Sequence, residues 1–197
     1  LSLAVSASAF KDDKDISADY AEAVAVLDGM GVFKGYEDGS FKPTGDITRA
    51  EVATIIYRIY TGDVAKSDKS GLYATYNKFS DMTGAGWAAG YIGYCANAEL
   101  VKGYPDGTFR PNQPVTRQEL VTFYWRYANL AGCDMTISQG ASLAEYQDGD
   151  SVKPYAKEAM LWAVDTGLIR GVDANTLAPN STASRAMAAT MLYRMVV

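Results

Sequence analysis

The chain is 197 residues long, 48% hydrophobic and 21% charged, with a net charge of −5 and no histidine. That length holds one compact domain or a few small ones. No run reaches the roughly 20 apolar residues of a membrane-spanning helix, the acidic balance argues against a broad nucleic-acid face, and the missing histidine removes most hydrolase triads and zinc sites.

Residues 1–9 are small and apolar and end Ala7-Ser8-Ala9, which reads as the tail of a secretory leader with an A-x-A cleavage site. Phe10-Lys11-Asp12 opens the first unit; its aromatic is expected in the core, and its Asp caps a turn or lines a site. A helix follows over about Ala18 to Met30, then Gly31 and the buried extended piece Val32-Phe33. Gly35 to Pro43 is a turn in which Asp38-Gly39 reverses the chain and Phe41 re-enters the core. It lacks the alternating carboxylates and closing Glu of an EF-hand, which argues against calcium. A second helix starts at Thr48, whose side chain and Glu51 form a capping box, and Val52, Ile55, Ile56 and Ile59 line one apolar face. Arg49 sits in its first turn, where the helix dipole disfavours a cation, so it needs an anionic ligand or a fixed carboxylate. Glu51 or a carboxylate on a neighbouring helix is the simplest partner. Arg58 near the other end suits the dipole and reads as structural.

This pattern then recurs. Arg49, Arg117 and Arg185 are 68 residues apart, and Gly35, Gly103 and Gly171 keep the same register. So do Pro43, Pro111 and Pro179, and Arg58, Arg126 and Arg194. Phe79-Ser80-Asp81 and Tyr146-Gln147-Asp148 open the later units, and their first helices run over about Trp87 to Ala98 and Tyr155 to Asp165. The units are 10–61, 79–131 and 146–197, joined by loops at 62–78 and 132–145 that absorb insertions. The third unit has drifted: Ser184 replaces Thr, Met187 replaces Glu, and its Asp-Gly turn is gone. Its groove is therefore expected to bind weakly or to serve packing alone. Cys95 falls at a core position of the second unit's first helix and Cys133 in the second linker; export permits a bridge between them, and the pairing stays open.

Phe-x-Asp, an aromatic-Ala helix, Gly-Tyr-x-Asp-Gly-x-Phe-x-Pro and Thr-Arg-x-Glu together resemble the S-layer homology (SLH) repeat, over roughly Phe10 to Val197. The resemblance implies a mainly α fold in which each unit gives two main helices and a connecting loop. The three pack as a pseudo-threefold trimer of repeats, with the Arg-led helices in a central three-helix bundle. It further implies a secreted, non-catalytic module on the bacterial cell surface, in the cell wall or S-layer. Such modules bind a pyruvylated secondary cell-wall polymer, or modified peptidoglycan, in grooves between repeats, and tether a cargo domain. The implied ligand set is Arg49, Arg117 and Arg185 for the carboxylate, Trp87, Tyr20 and Tyr155 as flat faces for a sugar, and Asp12, Asp81 and Asp148 for hydroxyls. Backbone amides near Gly35 and Gly103 complete it, with no metal or cofactor. Two rivals stand beside this: a glycosidase, disfavoured because a repeat offers no unique carboxylate pair, and a protein-interaction or self-assembly module, which a large exposed apolar patch would favour.

Overall fold

The computed structural model describes residues 10–65 and 70–197; the expected leader remnant at residues 1–9 lies outside them. The described chain is mainly helical and has no strand. The first unit supplies α1 (Ala18–Gly29) and α2 (Arg49–Thr61), the second α3 (Ala89–Asn97) and α4 (Arg117–Leu130), the third α5 (Lys157–Asp165) and α6 (Arg185–Val196). The expected helix starts at Trp87 and Tyr155 fall in short 3-10 turns, Gly86–Ala88 and Pro154–Ala156, that lead into α3 and α5.

The sequence-level start signals for α2 and α4 are realised. Thr48 accepts from the Glu51 amide at 3.3 Å while the Glu51 carboxylate accepts from the Thr48 amide at 2.8 Å. Thr116 and Glu119 make the same reciprocal pair. Ser184 caps α6 through the Met187 amide alone, because Met187 has no carboxylate to return.

What joins the units is backbone. The Ile47 amide donates to the Ala183 carbonyl at 3.0 Å, the Ala183 amide to Val115 at 2.9 Å, and the Val115 amide to Ile47 at 3.0 Å. These three fully buried residues close a ring in which every member gives and receives one bond. Just beyond it, the Arg49, Arg117 and Arg185 amides donate to the carbonyls of Gln113, Ser181 and Gly45. First-turn helix amides have no partner within their own helix; here each is satisfied by the next unit's loop.

The helices follow the same cyclic order. Among the α-helices, the broadest contacts pair α2 with α3, α4 with α5, and α6 with α1, so each Arg-led helix packs on the first helix of the following unit. The three Arg-led helices meet one another: α2 packs on α4 and α4 on α6, while α6 and α2 meet through the Arg185–Glu51 ion pair at 3.0 Å. Tyr124, fully buried, fastens α4 to α6 by donating to the Ala188 carbonyl at 3.0 Å. One cluster of buried side chains runs through all three units, as expected when no unit can bury its apolar face alone.

The first linker is less of a loop than expected. Ser70–Tyr76 forms a 3-10 helix against α3, with Tyr73 and Tyr94 edge-to-face at 4.9 Å. Gly93 in α3 makes room for it, since a Cβ there would collide with the Tyr73 carbonyl. Cys95 is buried, Cys133 is exposed, and both are free.

Each Asp of the aromatic-x-Asp openings neither caps a helix nor stands free. Asp12 accepts from the amides of Phe41 and Lys42 at 2.8 and 2.7 Å. Asp81 holds Phe109 and Arg110, and Asp148 holds Leu177 and Ala178, in the same way. The second residue of each pair has a positive φ: Lys42 57°, Arg110 58° and Ala178 51°. Side chains resist that conformation, so the carboxylate fixes a strained turn. The opening aromatic packs beside it, with Phe10 and Phe41 ring centroids 5.3 Å apart. Gly35 is required there, because a Cβ would come within 2.5 Å of the Phe10 ring.

Burial alone would raise the Asp12 carboxyl, but the Phe41 and Lys42 amides outweigh it and hold its pKa below the ordinary 3.8. A depressed carboxylate stabilises the fold fully above its unfolded value and loses that contribution as pH falls through its folded value. Urea midpoints of wild type and Asp12→Asn should therefore differ near neutral pH and converge in acid below 3.8. A gap that persists there would rule the carboxylate out as its source.

Candidate functional site

Arg49, Arg117 and Arg185 are buried, between 3% and 4% exposed. Each places its guanidinium in the loop of the following unit. Arg49 donates through Nε to the Phe109 carbonyl at 2.7 Å and through Nη2 to the Lys102 carbonyl at 2.9 Å. Arg185 repeats this onto Phe41 and Lys34 at 2.7 and 3.0 Å, and Arg117 onto Leu177 and Arg170 at 2.9 and 2.7 Å. A planar fork with donors on two edges suits two carbonyls held on one loop.

The third donor differs among the copies. Arg185 Nη1 pairs with Glu51 at 3.0 Å, and Arg49 Nη1 lies 3.7 Å from Glu119. Glu51 in turn accepts from the Tyr36 hydroxyl at 2.6 Å, and Glu119 from Tyr104 at 2.9 Å. Burial, with the Glu51 carboxylate beside it, pushes the Tyr36 phenol up to about 12. Aromatic faces complete the cage: Arg49 lies over Tyr104, Phe109 and Phe123 at 4.8, 4.6 and 5.0 Å, and Arg185 over Phe33, Tyr36 and Phe41 at 5.0, 4.4 and 5.0 Å. Desolvation by burial lowers the Arg49 pKa, and nearby Tyr104 and Glu119 oppose it.

Above each guanidinium lies a groove at the joint between units. The Arg185 groove has a volume of 440 Å³ and carries Gly35, Tyr36, Glu51, Arg58 and Trp87. The Arg49 groove, 330 Å³, carries the matching Gly103, Tyr104, Glu119, Arg126 and Tyr155. The Arg117 groove, 250 Å³, carries Gly171, Val172, Met187, Arg194 and Tyr20.

This geometry is repeated at the repeat spacing of the sequence, and a known family shares the pattern. The S-layer homology domain model matches residues 9–53, 78–121 and 145–189. The chain belongs to the S-layer homology family. It is 32% identical over 161 residues to a cellulosome-anchoring protein of Acetivibrio thermocellus, covering 82% of this chain and 34% of that protein. It is 30% identical over 194 residues to the surface-layer 125 kDa protein of Lysinibacillus sphaericus, covering 97% of this chain and 15% of that protein. An exoglucanase of Acetivibrio thermocellus, XynX, is 28% identical over 188 residues, 95% of this chain and 16% of that protein. The chain thus spans about a third or less of each of these relatives.

The residues expected at an SLH ligand site divide. Trp87, Tyr155 and Tyr20 each stand in a different groove, and Trp87 and Tyr155 are 57% and 56% exposed there. Gly35 and Gly103 line the first two. The three repeat arginines form the groove floors with most of their donors already used. Asp12, Asp81 and Asp148 are not among the lining residues, and their oxygens are taken by turn amides. Arg58, Arg126 and Arg194, read from the sequence as helix-end cations, stand in the groove walls instead. Among the described residues Arg126 has no hydrogen bond or ion pair, while Arg58 and Arg194 donate to the Val32 and Leu168 carbonyls at 3.5 and 3.3 Å, and Arg58 also lies over the Tyr91 ring at 5.7 Å. The signal for them was present: they share the 68-residue register of the floor arginines, nine positions on.

Removing Arg49 takes a donor from the buried Phe109 carbonyl and from the half-buried Lys102 carbonyl. Arg49→Ala should lower stability by about 3 kcal/mol in urea unfolding. Arg49→Lys should recover little of it, because one ammonium cannot reproduce the fork. Full rescue by lysine would show that charge alone suffices there.

Proposed function

We propose that this SLH module is a non-catalytic anchor that holds an exported protein on a bacterial cell surface. In this reading the Arg185 and Arg49 grooves take an anionic wall polymer, of which a pyruvylated glycan is the best chemical match. The observation that carries it is the pairing, in each groove, of a wall arginine with an exposed flat ring: Arg58 with Trp87, and Arg126 with Tyr155. A ring half out in solvent offers a face to a sugar, and a guanidinium takes a carboxylate through two parallel hydrogen bonds. Tyr36 and Tyr104 stand beside them with hydroxyls already oriented by Glu51 and Glu119.

The relatives support the same place and role. Their names denote cellulosome anchoring and a surface layer. The exoglucanase's chemistry belongs to that protein, of which this chain spans 16%. Related grooves at successive joints also suit a repeating polymer better than they suit catalysis, which needs one distinctive arrangement of groups.

Cosedimentation with cell walls tests this. Walls are used whole and after acid extraction of the secondary polymer. Wild type should pellet with whole walls only. The Arg126→Gln, Trp87→Ala double variant touches both grooves without touching the floor arginines, and it should lose most binding with its urea midpoint unchanged. Binding that survives extraction would move the ligand to modified peptidoglycan. Failure to pellet with any wall would sink the anchor reading.

A further inference from the structure

The Arg117 groove is built differently from the other two, and the differences point one way. Where Arg185 and Arg49 have a carboxylate, Arg117 Nη1 has the Met187 sulfur at 3.7 Å. Where they have aromatic faces, the third unit supplies Val172 and Leu177, and among the described residues no ring covers Arg117 and no ion pair reaches it. Charge follows the same trend. In the Arg185 groove Lys34, Arg58 and Arg185 face Glu37 and Glu51; in the Arg49 groove Lys102, Arg49 and Arg126 face Glu119 alone. In the Arg117 groove Arg117, Arg170 and Arg194 face no carboxylate. Asp148 acts on Arg117 at longer range, and its two oxygens are engaged by the amides of Leu177 and Ala178.

A second, independent feature lies in the same wall. The Thr190 hydroxyl is the one buried side-chain oxygen or nitrogen without a partner among the described residues. Thr190 is 7% exposed and lines this groove. Its counterparts Thr54 and Thr122 donate to the Ala50 and Gln118 carbonyls at 2.9 and 2.7 Å. A buried hydroxyl without a partner costs free energy that a ligand oxygen can recover.

We propose that the Arg117 groove is a site for a compact dianionic oxyanion of the phosphate class, seated in the groove beside the Met187 sulfur that replaces the carboxylates of Glu51 and Glu119. The inference rests on the wall-anchor reading for its setting and reverses the expectation that the drifted third unit binds weakly. Met187 in place of the glutamate removes an anion without removing the cations that faced it. Three guanidinium groups with no carboxylate lining the groove favour a dianion over a single carboxylate, and the smallest of the three grooves favours a small one. Arg117 Nη1 and the Thr190 hydroxyl supply the donors, and Arg170 and Arg194 the surrounding charge.

Titration calorimetry with inorganic phosphate at fixed ionic strength tests it, with the Arg117 Nε–Hε resonance followed by NMR. Wild type should bind one phosphate and shift that resonance, with acetate about tenfold weaker. Met187→Glu restores the glutamate of the first two units and sets a carboxylate beside Arg117, so phosphate affinity should fall by about tenfold or more. Thr190→Val should weaken it severalfold. No phosphate binding by wild type, equal binding by Met187→Glu, or acetate as tight as phosphate would each overturn the proposal. Met187→Glu should still pellet with cell walls, because the other two grooves are intact. Wall binding without phosphate binding therefore overturns this inference alone, and phosphate binding without wall binding overturns only the anchor reading.

Discussion

A guanidinium cannot be buried without acceptors, and the architecture of this protein follows from that constraint. Each repeat arginine leaves its own unit and finds its carbonyls in the next. The turn that presents those carbonyls is fixed by the Asp of the aromatic-x-Asp opening, which holds the residue with positive φ. The opening aromatic and the side-chain-free glycine let that turn lie close to the core. Motif elements that look separate along the chain are thus one device: arginine, aspartate, glycine and aromatic together define the joint between units.

The same device explains why the grooves lie where they do. A joint made by a long side chain reaching into a loop leaves a trough above the reaching group, floored by charge and walled by the next helix. In the proposed anchor, ligand binding and assembly therefore share residues. Arg49 and Arg185 are so fully used by carbonyls, carboxylates and rings that most of their donors serve the fold. In that proposal, selectivity falls to the residues around them, the wall arginines and the exposed Trp87 and Tyr155.

Much of this was legible in the sequence, and what was not has a physical reason. The capping boxes, the helix pairs and the register of three units follow from spacing alone, because local hydrogen bonding and apolar periodicity are local properties. Arg49 at a helix start announced a need for a partner, and a carboxylate on a neighbouring helix was among those foreseen; Glu119 fills that role at 3.7 Å. The two loop carbonyls were not foreseen, since every residue carries a carbonyl and none is marked by its side chain. Asp12 shows the converse. Its carboxylate suggested a ligand to sugar hydroxyls, yet the structure gives it to two amides 29 and 30 residues away. Arg126 was assigned to the helix dipole by its place near a helix end; which face it presents depends on α4 lying beside the third unit, which periodicity does not encode.

The closing contacts also set an order of events. Arg185 meets Glu51, Phe41 and Lys34 across 134, 144 and 151 residues of chain, and Ile47 completes the backbone ring only with Ala183. Contacts of such separation form late, because the loop they close must first be gathered. Until the last unit is available, the first has an unfilled carbonyl pair and an exposed α1 face at the place where α6 will dock. The three units are therefore committed to their joint form only once the third has docked on the first.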